Sequence, residues 1–307
     1  MRLRGRMTHQ SWVWLAVLII FSALLVLANR FTDGESFHGA VPTVVTALAL
    51  LSLFGIHRAT AASGAWRVSN RGIVGLSLGT GLFVLLAYVF NAILDISVGD
   101  LAVQPQVCVP ILLGYAFGPV VGFFSGSVGS LLGDFVTGWG VFPASHIASG
   151  LTGLIPGLMC AIGREERNAS LVSTIVVATI AVTAGIILVH PQAPEPWTGE
   201  VQSFRLWAWV LLIGGAVMVA NSILLEDVGV HLAALNLYGT LGILAGHAFA
   251  SLAHLWINEY GIASAFIGEF APSAGTDIMN LVVFAPIILA AYNSVRRRSR
   301  RRARPTG

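Results

Sequence analysis

Ten apolar stretches, separated by short polar turns, follow one another along the whole chain. An α-helix needs about 17 to 25 predominantly apolar residues to cross a bilayer, and the stretches have lengths within or near that range, apart from the shorter fourth. They are residues 12–28, 41–56, 72–94, 106–117, 119–137, 147–162, 171–189, 206–225, 231–257 and 278–292. The pattern predicts an all-α, polytopic membrane helix bundle of about ten transmembrane segments, in which the fourth is short for a full crossing.

Basic residues are predicted to mark one side of this bundle. All 17 basic residues are arginine, and 15 of them fall at the N-terminus, in residues 58–71, in residues 164–167 or in the C-terminal tail. Cytoplasmic loops are enriched in arginine and lysine, so these places are predicted to be cytoplasmic, together with both termini. The first segment is then a retained helix rather than a cleaved signal peptide. The arginine tail is interpreted as a topology anchor that meets anionic membrane lipid, not as a nucleic-acid site.

The opposite, outer side is predicted to be acidic. It holds two arginines, Arg30 and Arg205, against ten carboxylates. Such a surface favours neutral or cationic solutes over anions, although acidic outer loops are also the ordinary counterpart of basic inner loops. The ten are Asp33, Glu35, Asp95, Asp100, Asp134, Glu195, Glu200, Glu259, Glu269 and Asp277.

Composition excludes a sizeable soluble domain. The chain is 56% hydrophobic and 10% charged, whereas a soluble domain carries about 25% charged residues. The turns between apolar stretches are too short to fold independently. The two cysteines, Cys108 and Cys160, lie inside apolar stretches and are interpreted as packing residues, not as a disulfide or metal site.

Glycines recur at four-residue intervals in the middle of the chain. Spacing of i and i+4 places small residues on one helix face, and in lipid such a face allows two backbones to approach closely. The glycines therefore predict tightly packed helices between residues 114 and 157. The pairs and triplets concerned are Gly118, Gly122 and Gly126, Gly129 and Gly133, and Gly153 and Gly157.

The order of these elements resembles the substrate-binding (S) subunits of energy-coupling-factor (ECF) transporters. A short apolar helix is followed by a Gly-Pro turn, a glycine-stepped helix that ends in Gly-Asp, a loop, and a Gly-Leu-Ile-x-Gly helix. The resemblance covers residue 72 to about residue 163, with weaker likeness at residues 272–292. The residues that carry it are Gly114, Tyr115, Phe117, Gly118, Pro119, Gly122, Gly126, Gly133, Asp134, Gly153, Leu154, Ile155 and Gly157.

This resemblance implies a role in uptake at a prokaryotic cell membrane. S subunits bind a vitamin or similar micronutrient from outside, and deliver it by docking on a coupling membrane subunit powered by two ATPases. Docking in that family uses small residues near the start of the first core helix, where this chain has Gly75 and Gly79. The sequence lacks a G-x-x-x-x-G-K-[ST] phosphate loop, so ATP chemistry is assigned to partners.

The resemblance also divides the chain. Residues 1–71 are predicted to form two additional helices, residues 72–163 the S-subunit-like core, and residues 164–307 the remaining helices and the tail. The family core has six helices, so either segments seven and eight or segments nine and ten complete it. The chain does not begin with Met-His, as metal-ion members of the family do, which disfavours nickel and cobalt. No cofactor is predicted.

Polar residues within membrane segments are costly and are therefore candidate functional residues. Several fall at the predicted outer ends of four segments, where they would form a solute site at one depth. His247 and His254 share a face of the ninth segment and are candidates for solute contact or for interhelical hydrogen bonds. The full set is Asn91, Asp95, Tyr115, Asp134, Trp139, His146, His247, His254, Asp277 and Asn280.

Three other functions remain open at this point. Ser125, Ser127 and Ser130 among glycines suggest an intramembrane serine enzyme, but no G-x-S-G or H-E-x-x-H motif is present. A membrane sensor would need an output domain, and none follows Tyr292. A self-sufficient secondary transporter would fit ten helices, but no inverted repeat is evident.

Overall fold

The computed structural model describes residues 41–61, 64–98, 100–162, 166–224 and 230–302, together with part of residues 13–27. It is an all-α bundle. The described residues of 13–27 are helical; whether the N-terminus is retained or cleaved concerns residues outside the described part. The helices are α1 Val41–Thr60, α2 Asn70–Ala87, α3 Cys108–Phe117, α4 Pro119–Thr137, α5 Pro143–Ile162, α6 Glu166–Val189, α7 Arg205–Leu224, α8 Val230–Ile257 and α9 Ala271–Arg302.

Short irregular elements extend or connect these helices. A π-helical turn, Tyr88–Leu94, prolongs α2, and a second one, Ser264–Phe270, leads into α9. A 3-10 turn, Pro105–Val107, precedes α3. Two small antiparallel hairpins cross between helices: β1 Ser97–Val98 with β2 Leu101–Ala102, and β3 Gln192–Pro194 with β4 Val201–Ser203.

The predicted membrane bundle is confirmed. Six of the described helices are long and apolar enough to cross a bilayer, and two shorter apolar helices, Pro105–Phe117 and Arg205–Asn221, accompany them. The prediction was wrong over residues 258–274, which were assigned to a loop. Most of that stretch is helical and begins the last crossing. Glu269, assigned to the loop, is paired with His254 inside the bundle, so its charge does not mark a solvated loop. The six are Thr43–Thr60, Asn70–Leu94, Pro119–Thr137, Ser170–Val189, Leu232–Ile257 and Ser264–Ser294.

The glycine-stepped helices pack backbone to backbone, as their spacing predicts. A Cβ atom added at Gly122 would collide with the carbonyl of Gly153, and one added at Gly126 with the carbonyl of Ser149. Between α3 and α4 the chain reverses at Gly118, whose φ of 103° is open to glycine and strained for other residues. This close approach fixes α3, α4 and α5 as the rigid centre of the bundle.

Helix α8 also packs on this centre through glycines that allow close backbone contact. A Cβ at Gly242 would lie 2.6 Å from the carbonyl oxygen of Thr152, and one at Gly246 would lie 2.6 Å from that of Ala148. Helices α6 and α7 pack against each other and against α8 and α9. The last two helices therefore lie in the interior of the bundle, although they follow α6 and α7 in sequence.

Candidate functional site

Ionisable and amide side chains gather at the end of the bundle where α2, α4 and α8 finish and α3, α5 and α9 begin. We call this the polar end and define it by Asp134, His146, His247, His254 and Asp277. The arginine-rich stretch of α9, up to Arg302, lies at the opposite end of that helix. Three separate contacts, each between two neighbouring helices, make up the polar end.

The first contact joins the end of α4 to the start of α5. His146 is fully buried; its Nε2 accepts a hydrogen bond from the backbone N–H of Phe142 at 3.0 Å, and its Nδ1 lies 2.9 Å from Ser130 Oγ. Because Nε2 accepts an N–H, the neutral ring carries its proton on Nδ1 and donates it to the Ser130 hydroxyl. The Asp134 carboxylate lies 3.8 Å from the same nitrogen, and 21% of its side chain is exposed. Asp134 is therefore the part of this group that a solute can reach.

The second contact joins α8 to α9. His247 Nε2 lies 2.6 Å from Asp277 Oδ2, within the distance of a short hydrogen bond. The two side chains are 21% and 11% exposed, so the pair is mostly buried but still accessible from outside the protein. A third contact lies further toward the end of α8, where His254 Nδ1 is 2.5 Å from Glu269 Oε1. Two histidine–carboxylate pairs thus follow one another between α8 and the last membrane helix.

Asn280, which the sequence suggested as a solute ligand, is instead a structural anchor. Its side-chain oxygen accepts from the Gln104 backbone N–H at 2.7 Å, and its amide nitrogen donates to the carbonyls of Ala102 and Thr276. These contacts attach the segment before α3 to α9. Because its amide hydrogens and oxygen are engaged in these bonds, Asn280 is a weaker candidate for solute contact than the histidine–carboxylate pairs.

The other residues of the predicted site are dispersed. Asn91 accepts a hydrogen bond from Gln106 Nε2 at 3.2 Å. Asp95 is exposed, with a φ of 42°, at the end of the π-helical turn. Trp139 is 55% exposed and does not pack over a site. The sequence predicted that four residues meet at one site: Asn91, Asp134, His146 and Asp277. Of these four, only Asp134 and His146 lie close to each other.

Tyr115 lies at the wrong end of the bundle for the predicted site. It is two residues before the end of α3, at the Gly118-Pro119 turn, and interacts with Cys160 near the end of α5. Both positions are opposite the polar end. Tyr115 therefore does not contribute to the polar end, and its contact with solute stays a prediction.

Gly75 and Gly79, the predicted docking residues, face the interior of the chain. A Cβ on Gly75 would lie 3.0 Å from the Phe117 ring, and one on Gly79 would collide with Leu113. Both glycines serve the packing of α2 on α3. In this arrangement Gly79 is buried and Gly75 is half-buried, so neither is fully open to a partner helix, and their role in docking stays a prediction.

Sequence reasoning missed two partners, Ser130 and Glu269, as site residues. Glu269 had been assigned to an outer loop, and Ser130 had been considered only as an enzyme nucleophile. The one available signal was helical spacing: Glu269 and Asp277 are eight residues apart and His247 and His254 are seven apart, so each pair lies near one face of its helix. Spacing alone does not show that the two sets face each other.

The β3–β4 hairpin lies across the polar end. A Cβ on Gly268, the residue before Glu269, would lie 2.8 Å from the carbonyl oxygen of Pro194 in the hairpin. At the hairpin tip, Trp197 meets the Phe142 ring, four residues before His146, with the ring centroids 6.4 Å apart. The hairpin therefore borders both the His146 group and the His254–Glu269 pair.

A groove of different character opens on the side of the bundle. It has a volume of about 360 Å³ between α1, α5 and α8, and apolar side chains such as Leu48, Phe249 and Trp256 line it. Such a lining suits acyl chains of the surrounding lipid rather than a polar solute. Among the described residues, no group of three histidine, cysteine, aspartate or glutamate side chains could hold a metal ion.

Comparison with known proteins places these elements in a family. The family model for the ECF-type riboflavin transporter, S component, matches residues 67–224, just over half of the chain. The UPF0397 protein str0306 of Streptococcus thermophilus is 26% identical over 167 residues, which are 54% of this chain and 90% of the relative. A UPF0397 protein of Streptococcus pneumoniae strain Hungary19A-6 is 34% identical over 86 residues, which are 28% of this chain and 46% of the relative. No solved structure matches the chain.

The match confirms the resemblance read from residues 72–163 and extends it to residue 224, so that it spans α2 to α7. The apolar helices and bacterial relatives make the chain a multi-pass cell-membrane protein. Its family binds solute for transport and is not a family of enzymes. The chain belongs to the S components of ECF-type transporters, the membrane-embedded substrate-binding subunits of these importers.

Proposed function

We propose that this S component captures a small, vitamin-like micronutrient at the polar end and delivers it by docking on a coupling subunit driven by partner ATPases. The single observation that carries the site is the pair His247–Asp277, a partly exposed histidine–carboxylate contact within a membrane bundle. Charged groups at such depth are costly and are characteristically functional. Asp134 beside His146 and the His254–Glu269 pair flank it at the same end of the bundle.

Charge distribution supports an outward-facing polar end. Cytoplasmic segments are enriched in arginine, and the arginine-rich stretch of α9 lies at the end of that helix opposite Asp277. The polar end carries Asp134, Glu269 and Asp277 within the described segments. A solute with N–H donors or a positive charge complements these carboxylates better than an anion does.

The riboflavin named in the family model is not carried over to this chain. The model matches residues 67–224, whereas His247, His254, Glu269 and Asp277 all lie beyond residue 224. In our proposal, residues outside the matched region therefore contribute to solute selection, so the solute can differ from that of the matched family.

The same packing bears on which helices complete the core. The sequence match includes α6 and α7, while α8 and α9 lie against α3 and α5 and carry two of the three polar contacts. We propose a functional core of α2 to α5 with α8 and α9, and a peripheral α6–α7 pair. The predicted boundary between residues 71 and 72 then matches the start of this core. The predicted boundary between residues 163 and 164 does not match its end, because α8 and α9 follow later in the chain.

We propose that docking uses the outward face of α2 rather than Gly75 and Gly79. Ser77 and Gly81 are exposed and four residues apart, and a Cβ on Gly81 would meet no atom within 4 Å. Val74, Leu78 and Leu85 flank them on the lipid-facing side. Small residues on such a face allow another membrane helix to approach closely.

Asp277→Asn is expected to weaken solute binding about 10- to 100-fold, because a hydrogen bond to a charged group contributes about 1.5–3 kcal/mol. The measurement is a calorimetric titration of the purified variant with the small molecule that co-purifies with the wild type. Asp95→Asn is the matched control, since Asp95 is exposed and asparagine tolerates its positive φ. Wild-type affinity in a folded Asp277→Asn variant would remove the His247–Asp277 pair from the site.

A further inference from the structure

Helix α8 carries a row of polar side chains along one face. At 3.6 residues per turn, Asn236, Thr240, His247, Ser251 and His254 fall within about 60° of one another around the helix axis. His247 contacts Asp277 and His254 contacts Glu269, which shows that this face lies against the last membrane helix. We call the contact between this face and that helix the α8–α9 seam.

Several buried polar atoms along the seam have no hydrogen-bond partner among the residues that the structure describes. Asn236 and Thr240 are fully buried, and Ser251 is 3% exposed. In a membrane interior, each such group costs free energy comparable to a lost hydrogen bond unless water or a ligand satisfies it. The atoms are Asn236 Nδ2 and Oδ1, Thr240 Oγ1, Ser251 Oγ and Glu269 Oε2.

The row of polar side chains runs along α8 from the polar end to the arginine-rich end of the bundle. From Asn236 to His254 the helix rises about 27 Å at 1.5 Å per residue, close to the hydrocarbon thickness of about 30 Å. His247, Ser251 and His254 lie toward the polar end, and Asn236 and Thr240 toward the arginine-rich end. Ile243, which is fully buried, is the apolar residue of this face between the two groups.

We propose that the α8–α9 seam is a hydrated path, in which water and small hydrogen-bonding solutes contact Asn236, Thr240 and Ser251. Buried water typically makes about three hydrogen bonds to otherwise unsatisfied polar groups, and the seam supplies donors and acceptors at intervals of one to two helical turns. Ile243 separates the outer and inner parts of the path. This inference concerns the seam alone and does not depend on which solute the protein carries.

The test uses the reactivity of introduced cysteines. In a Cys108→Ala, Cys160→Ala background, Thr240→Cys and Ser251→Cys are nearly isosteric replacements on the seam. Leu235→Cys is the matched control: Leu235 is 1% exposed on the same helix, about 100° away from Asn236 around the axis. The reagent is 2-aminoethyl methanethiosulfonate, a small thiol-specific compound, applied to the protein in membranes.

A thiol reacts through its thiolate, which forms in water and is suppressed in apolar surroundings. We therefore expect Thr240→Cys and Ser251→Cys to be modified at least about 10-fold faster than Leu235→Cys. Equal, slow modification of all three variants would overturn the hydrated path. Fast modification of Ser251→Cys alone would also overturn it, since the water would then be confined to the polar end.

Discussion

Gly81→Leu is expected to abolish solute uptake while leaving solute binding within about twofold of the wild type. Gly81 is exposed on α2, and an added side chain meets nothing within the protein. The fold and the polar end should therefore be unaffected. A coupling helix that packs on this face would be displaced by the new isobutyl group, because close backbone approach requires a small residue.

Two matched variants make this result specific. Gly185→Leu places the same side chain at another exposed, uncrowded helix position, on α6, and should leave both uptake and binding intact. Gly79→Leu places it against Leu113 inside the chain, and should reduce folded protein and binding together. ATP-dependent uptake and calorimetric binding are measured for all three. Normal uptake by Gly81→Leu would move the docking face away from Ser77 and Gly81.

Gly153→Leu is expected to eliminate folded protein. A Cβ at this position would collide with the backbone of Gly122, and backbone cannot yield as a flexible side chain can. Overpacking in well-packed cores costs about 1–3 kcal/mol and more where no side chain can move, a large share of a stability of about 5–15 kcal/mol. The yield of monodisperse protein in mild detergent and its melting temperature provide the measurement.

Gly55→Leu is the control for this variant, since a Cβ on Gly55 meets no atom within 4 Å. It should give a wild-type yield. A folded Gly153→Leu protein with an unchanged melting temperature would show that α4 and α5 are not in backbone contact there. Helices α4 and α5 would then not form a rigid, backbone-packed centre.

The sequence predicted the parts of this fold that depend on local spacing. Glycines at i and i+4 lie on one face whatever the rest of the chain does, so the contact of Gly122 and Gly126 with α5 could be anticipated. The position of Tyr115 could also have been inferred. It lies three residues before the Gly118-Pro119 turn, at the end of the fourth apolar stretch opposite Gln106, yet it was included in the outer solute site.

The remaining parts of the site depend on which helices become neighbours. Asn280 is occupied by Gln104, 176 residues away along the chain, and no local pattern shows that its amide is engaged. Glu269 looked like a solvated loop residue until its contact with His254 placed it in a membrane helix. Helical periodicity orients a side chain around its own axis, whereas the choice of partner is settled by tertiary packing.

The central claim is that this chain binds a solute by itself and transports it only with partner subunits. The direct measurement is uptake of the co-purified small molecule into proteoliposomes that contain the chain alone, or the chain with an ECF coupling subunit and its ATPases. We expect the chain alone to bind the solute without accumulating it, and the full complex to accumulate it when ATP is present. Sustained accumulation by the chain alone, driven by an ion gradient and independent of ATP, would contradict the account and identify a self-sufficient secondary transporter.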